Sequence, residues 1–188
     1  MRSLFLVVLS LFFAVPVQAK EVLGVQFDEH ITLGPDQPTL VLNGTAVRRK
    51  QQYATYVAGL YLAIRNDSPD KILRDLGPKR LTLFLEIEQV EPDAMVSAWS
   101  QGFALNHSRE ELRVLLPQIE RFNKMWTETL KQGDRVAFDY LPGQGTRVTV
   151  NDDLLGTVPG SEFYRALLKT FIGPHPVARN VKNGLLGL

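Results

Sequence analysis

The segment Tyr53–Ile64 decides the fold class, and it reads YATYVAGLYLAI. Apolar side chains occupy both of its alternating sets, with Val57 and Tyr61 in one set and Ala58 and Leu60 in the other. Successive side chains of a β-strand point to opposite faces of the sheet, so a strand of this kind must be covered on both faces. The segment is therefore predicted to be a central strand of a sheet.

The sequence on either side of this strand predicts more strands and two groups of helices. Turn residues and alternating apolar positions predict strands at 22–27, 39–43, 80–88, 135–140, 147–151 and 154–158. Capping residues and helical apolar spacing predict helices at 69–76, 92–105, 109–130, 162–172 and 177–188. Strands and helices do not alternate one by one, which disfavours a parallel sheet. The order predicts an α+β fold, a large antiparallel sheet with helices packed on one face.

Composition excludes several classes of function. The chain has 21 Lys and Arg against 20 Asp and Glu, a net charge of +1, so no nucleic-acid partner is expected. It has no cysteine, which excludes disulfides, thiol nucleophiles and thiolate metal sites. Its three histidines are far apart and lack ligand spacing, and no phosphate or dinucleotide loop is present, so neither a metal nor a cofactor is expected.

The N-terminus has the pattern of an export signal. A positive charge at Arg2 precedes an apolar run from Leu4 to Val15, and Val17-Gln18-Ala19 resembles a cleavage site. This pattern predicts a signal peptide at 1–19, cleavage after Ala19, a single domain at 20–188 and a periplasmic location. The apolar run is shorter than the roughly 20 residues that span a bilayer, and the mature chain has no other candidate span. The alternative interpretations are an uncleaved anchor or a buried strand.

A run of three cations, Arg48-Arg49-Lys50, precedes the central strand. In a strand, Arg48 and Lys50 point one way and Arg49 the other. A cation on the core side must reach solvent or find an anion. An arginine at the mouth of an apolar cavity can bind a carboxylate or an oxyanion through two parallel hydrogen bonds. The run is a candidate anion site for that reason.

Three motifs together resemble the chalcone isomerase family, and more closely its exported bacterial members. They are GTAVR at 44–48, VAGLYL at 57–62 and ALLKTFIGPHPV at 166–177. The resemblance covers essentially the whole mature chain. It implies an open-faced β-sandwich, in which a layer of helices covers one face of a large antiparallel sheet and the ligand cleft lies between them.

The resemblance also implies roles for individual residues. Plant enzymes of this family close a flavanone ring with an arginine on the developing enolate, and non-catalytic members bind fatty acids with the same arginine and a tyrosine. Arg48 matches that arginine, and Thr170 matches a substrate-contacting threonine of the last long helix. The threonine of the central strand is replaced by Tyr56. The tyrosine and asparagine of the first long helix region fall near Pro92 and Trp99, so part of the catalytic set is missing.

We therefore expect an exported, non-catalytic domain that binds a fatty acid or a similar amphipathic carboxylate. Arg48 is expected to hold the head group, and Tyr56, Trp99 and Thr170 to line the cleft of a monomer. Two alternatives stay open at this point. One is an isomerase or lyase that acts on an α,β-unsaturated ketone, with Arg48 as its catalytic residue. The other is a structural or adaptor protein of the envelope.

Overall fold

The structure, a computed structural model, describes residues Ala19–Leu188. Most of the predicted signal peptide lies outside these residues, so its cleavage stays a prediction. The strands are β1 Ala19–Val22, β2 Val25–Asp28, β3 His30–Ile31, β4 Leu40–Lys50, β5 Tyr53–Leu62, β6 Lys79–Leu85, β7 Gln89–Val90, β8 Leu130–Lys131, β9 Arg135–Leu141, β10 Gly145–Val150 and β11 Asp153–Val158. The helices are α1 Pro69–Arg74, α2 Pro92–Asn106, α3 Arg109–Asn123, α4 Ser161–Ile172 and α5 Arg179–Leu185.

The main sheet has seven strands in the order β11-β10-β9-β6-β5-β4-β3. Every neighbouring pair in it is antiparallel. Strands β1 and β2 form a separate hairpin, and β7 pairs with β8. Strand β5 lies between β4 and β6, which confirms its predicted interior position. The predicted fold class, an antiparallel sheet with a helical layer, is confirmed as well.

The two faces of the sheet carry two separate cores. On the helix side, Ala58 and Leu60 of β5 join a large cluster that includes Leu167 and Phe171 of α4. On the outer side, Val57 and Tyr61 of β5 join a smaller cluster formed with the N-terminal segment, which contributes Phe27, Leu33 and Leu40. The prediction that β5 is covered on both faces is thus confirmed.

Glycine at position 59 makes room for the N-terminal hairpin. A Cβ atom placed on Gly59 would lie 2.5 Å from the ring of Phe27. The same ring contacts Phe84 of β6 edge-to-face, with 5.3 Å between the ring centres. The β1–β2 hairpin is therefore seated on the outer face of β5 and β6 by one aromatic side chain.

Helix starts follow the predicted capping residues, but α3 is shorter than predicted. The hydroxyl of Ser108 accepts from the amide of Glu111 at 3.2 Å, and the Glu111 carboxylate accepts from the amide of Ser108 at 2.7 Å. The helix was expected to reach residue 130, and this boundary is wrong. The amides of Met125 and Trp126 bond three residues back, which tightens the last turn and ends the helix. Trp126 is nevertheless buried, so its place in the apolar pattern indicates burial and not helical structure.

Helix α5 packs directly on β4 at a point where both backbones carry glycine. A Cβ atom on Gly44 would collide with the carbonyl oxygens of Gly184 and Leu185, and one on Gly184 would lie 2.5 Å from the carbonyl oxygen of Thr45. The side-chain amide of Asn43 donates to the carbonyl of Leu185 at 2.8 Å. The C-terminal helix thus covers the strand that leads to Arg48.

Candidate ligand-binding site

Arg48 and Tyr56 face each other across the β4–β5 ladder. Both lie on the helix side of the sheet, since Ala46 and Ala58 of the same alternating sets belong to the helix-side core. Arg48 is partly buried, and its Nη1 donates to the carbonyl oxygen of Arg49 at 2.6 Å. No carboxylate within Ala19–Leu188 forms an ion pair with it. Its remaining guanidinium donors are thus available to an anion.

Tyr56 brings a neutral hydroxyl next to this cation. Its ring packs against the helix-side core. Burial raises the pKa of the phenol well above its ordinary value, and the opposing charge of Arg48 offsets only part of that rise. Tyr56 is therefore protonated at neutral pH and can donate one hydrogen bond. A guanidinium and a phenol on adjacent strands can hold the two oxygens of a carboxylate.

Trp99 lies deeper, in an aromatic cluster that fills the space between helices and sheet. The indole is 7% exposed. Its ring centre lies 5.4 Å from that of Phe138 on β9, 5.6 Å from Phe122 on α3 and 6.0 Å from Phe171 on α4. Trp126 stacks on it at 6.3 Å. Trp99 is thus a closely packed core residue between the helices and the sheet.

Two indole N–H groups in this cluster have no acceptor within residues 19–188. The Nε1 atoms of Trp99 and Trp126 are buried without a hydrogen-bond partner. A buried donor without a partner loses hydration with no compensating bond, so each is a point where a polar ligand atom or a water molecule would be stabilised. Sequence reasoning missed Trp126 as a candidate, since apolar spacing identifies a core position but not an unpaired donor.

Thr170 is buried under α2, and its hydroxyl is already engaged. It donates to the carbonyl of Leu167 within α4 at 2.7 Å. A Cβ atom on Gly102 of α2 would lie 3.2 Å from the Cβ of Thr170, so the two helices meet closely there. The four predicted residues therefore form two groups. Arg48 and Tyr56 are cross-strand partners, whereas Thr170 adjoins Phe171, which contacts Trp99.

The motif after α4 has a structural explanation in Asn106, at the end of α2. The Asn106 side chain donates to the carbonyl of His175 at 2.8 Å and accepts from the amide of His175 at 3.2 Å. A Cβ atom on Gly173 would lie 2.9 Å from the Asn106 Oδ1 atom. The Gly-Pro-His turn is thus fixed to α2, and Asn106 was not singled out from the sequence.

A groove lies on the outside of the helical layer, between α3 and α4. This groove has a volume of about 410 Å³, and Val114, Leu115 and Ala166 contribute apolar lining. Its charged lining includes Arg165 and Lys169 together with three glutamates. It contains a cation beside apolar surface, as the Arg48 region does, so it is the competing location for an amphipathic anion.

Two further properties of the described chain bear on function. Between Ala19 and Leu188, no helix is both long enough and apolar enough to cross a membrane. In the same range, His, Asp and Glu side chains do not gather in groups of three or more that could hold a metal ion.

The family described as chalcone isomerase-like matches residues 19–187, and the chain belongs to this family. The fold is similar to the crystal structure of a fatty-acid binding protein from Arabidopsis thaliana, with a TM-score of 0.69. That similarity covers 90% of this chain and 96% of the plant chain, at 14% sequence identity. No sequence among the curated proteins matches this chain. The resemblance read from the motifs is confirmed, and the plant structure shows a shared fold.

Proposed function

We propose that this protein binds a fatty acid or a similar amphipathic carboxylate between its sheet and its helices, without catalysis. One observation carries the proposal: Arg48 has no carboxylate partner among the described residues, and its cross-strand partner is Tyr56. The fatty-acid-binding function of the plant protein with this fold adds support. Export of the mature domain to the periplasm is part of the proposal and rests on the N-terminal sequence pattern. We propose as well that the mature domain acts as a monomer.

The chemistry asks for few groups. Arg48 donates through its planar fork to the carboxylate, and neutral Tyr56 donates a further hydrogen bond. Charge-assisted bonds of this kind are roughly twice as strong as neutral ones. The ligand's apolar chain then needs only apolar walls, which the helix-side core supplies at Trp99 and its aromatic neighbours.

Ligand entry must rearrange the aromatic cluster. Trp99 is in contact with Phe122, Phe138 and Phe171, so an acyl chain that reaches it displaces part of this packing. We expect binding to change tryptophan fluorescence, because the two indoles share the cluster. The two unpaired Nε1 donors become reporters, since either would shift its emission on gaining a polar partner.

The decisive test is calorimetric titration of a soluble medium-chain fatty acid into the wild-type protein and into Arg48→Ala. Loss of the charge-assisted contact should weaken binding by roughly 2–5 kcal/mol. Lys169→Ala is the matched control, because it removes a cation from the α3–α4 groove. Weaker binding in the control with unchanged binding in Arg48→Ala would move the ligand to that groove and contradict the proposal.

The same variant tests the absence of catalysis. Chalcones and simple enones absorb in the near ultraviolet, so ring closure is followed directly by absorbance. We expect no turnover by the wild-type protein. Turnover that depends on Arg48 would instead identify an isomerase that uses the guanidinium to stabilise an enolate.

A further inference from the structure

The turn between β4 and β5 carries cations that the proposed ligand site does not use. We call Arg49–Tyr53 the hairpin tip. All five of its residues are exposed, and Tyr53 is 66% exposed. Gln51 adopts a left-handed conformation, with φ at 56°, which closes the turn. The tip thus presents two cations and an aromatic ring to the surroundings.

The hairpin tip projects past the neighbouring strand. The ladder between β5 and β6 ends at Tyr56 and Leu85, and the amides of Glu86 and Ile87 still bond to the carbonyl of Thr55. From Ala54 outward, the hairpin has no partner on that side. Two strand positions correspond to about 7 Å, so the tip extends about that far beyond the last bond between β5 and the β6 segment.

The cations of the tip are not neutralised by the protein. Neither Arg49 nor Lys50 takes part in an ion pair within Ala19–Leu188. Arg49 only donates to the carbonyl of Gln52 at 3.4 Å. Glu86 and Glu88 follow β6 at the same end of the sheet, and neither forms an ion pair with these cations. Ile87, between them, is 38% exposed and adds apolar surface at the same end of the sheet.

We infer that the hairpin tip docks the protein on an anionic phospholipid bilayer. Lys and Arg near such a surface are attracted to its negative potential, and tyrosine settles at the level of the head groups. Strand β4 continues directly from the tip to Arg48, so a docked protein holds its carboxylate-binding arginine next to the bilayer. The inference rests on the proposed function and adds a route by which the ligand enters and leaves. The exposed ring of Tyr53 favours a bilayer over a polyanion such as nucleic acid, because tyrosine is enriched at membrane interfaces.

The test is flotation of the full-length mature protein with vesicles of phosphatidylcholine, with and without phosphatidylglycerol. We expect binding only to the anionic vesicles, and we expect added salt to weaken it. The double variant Arg49→Gln/Lys50→Gln should bind roughly thirtyfold more weakly, because each basic residue at an anionic surface contributes about fivefold. Adding Tyr53→Ser to the double variant should weaken vesicle binding further.

The control removes the same charge elsewhere. Arg121→Gln/Lys124→Gln changes two exposed cations at the end of α3 and should bind vesicles as the wild type does. Equal binding by the tip variant and this control would overturn the inference. Binding to heparin that is stronger than binding to anionic vesicles would overturn it as well, in favour of a polyanion.

Failure of the proposed function gives a different pattern. Fatty-acid affinity in solution, without vesicles, should be unchanged in the tip variant and lost in Arg48→Ala. Loss of vesicle binding together with unchanged solution affinity supports docking. Arg48→Ala could keep its fatty-acid affinity in solution while the tip variant no longer binds vesicles. In that case the tip docks the protein on the bilayer, but the ligand binds at a site other than Arg48. A folded, ligand-binding tip variant also rules out misfolding as the cause.

Discussion

Arginines on the two faces of the sheet differ in their carboxylate partners. On the outer face, the buried carboxylate of Asp139 lies between two arginines: Arg80 donates to both of its oxygens, at 2.5 and 2.8 Å, and Arg147 donates at 2.8 Å. On the helix face, Arg48 has no carboxylate partner in the described chain. In the outer cluster the carboxylate of Asp139 is paired within the protein, although the buried Nε atom of Arg147 has no hydrogen-bond partner among the described residues. The absence of such a partner is the basis for our proposal that Arg48 binds the anionic group of a ligand.

The outer cluster is explained by strand register alone. Arg80, Asp139 and Arg147 are direct cross-strand partners on β6, β9 and β10. Arg147 also donates to the carbonyl of Leu33 at 3.0 Å, which ties the N-terminal segment to the sheet. The two faces differ in whether the arginine has a carboxylate partner within the protein. That difference, and not the burial of the arginine, distinguishes a structural role from a binding role.

The largest expected effect breaks the outer cluster. Asp139→Asn removes the charge between the two arginines and leaves them facing each other with little solvent. Breaking a buried ion pair of this kind costs about 3–5 kcal/mol. Urea unfolding should show this loss, whereas Asp153→Asn, at an exposed position, should unfold like the wild type. Equal midpoints for both variants would mean that the cluster does not stabilise the fold.

The second prediction concerns how much a bound fatty acid stabilises the wild-type protein and the Arg48→Ala variant. At a fatty-acid concentration about a hundredfold above Kd, the wild-type protein should gain roughly 2.7 kcal/mol of stability. The Arg48→Ala variant should gain much less at the same concentration, because its Kd is higher. Thermal unfolding with and without ligand measures the difference. An equal rise in Tm for both proteins would show that another cation holds the carboxylate.

A smaller effect tests how the outer core is held. Gly59→Ala places a methyl group 2.5 Å from the Phe27 ring, which must move. Overpacking of this kind costs about 1–3 kcal/mol. Gly34→Ala is the control, since its Cβ would meet only Gln37 at 3.8 Å. Unfolding midpoints that do not separate the two variants would mean that the β1–β2 hairpin is not seated by Phe27.

The smallest effect is that of Arg48 on the ligand-free protein. Arg48→Gln removes no ion pair of the described chain, so the free energy of unfolding should change by no more than about 0.5 kcal/mol. Arg80→Gln loses two bonds to Asp139 and should cost about 1–3 kcal/mol. Denaturant unfolding of the ligand-free variants gives both values. A large loss in Arg48→Gln would assign this residue to the structure and not to a ligand.

Local patterns in the sequence predicted much of the fold. Apolar residues on both faces of β5 identified an interior strand, and Ser108 with Glu111 marked the start of α3. The end of α3 was wrong because Trp126 and Leu130 keep helical spacing while packing from a loop and from β8. Apolar spacing indicates which side chains are buried, but it does not indicate whether a helix, a loop or a strand carries them.

Long-range pairing was beyond the sequence. The contact of Phe27 with Gly59 and the position of Asp139 between Arg80 and Arg147 depend on strand order, since β6 and β9 are joined only after two helices have intervened. The resemblance already named both Arg48 and Tyr56, and the strand register adds that the two are cross-strand partners. The unpaired Nε1 atoms of Trp99 and Trp126 follow from exact packing, which no spacing rule contains.

The contact between α5 and β4 has a consequence for biosynthesis. The Asn43 amide bonds to the carbonyl of Leu185, 142 positions later in the chain. Synthesis proceeds from the N-terminus, so β4 leaves the ribosome long before the helix that covers it. Until α5 has been synthesised, the strand that leads to Arg48 lacks the helix that covers it. The last part of the domain to be made is thus the part that finishes its proposed ligand-binding strand.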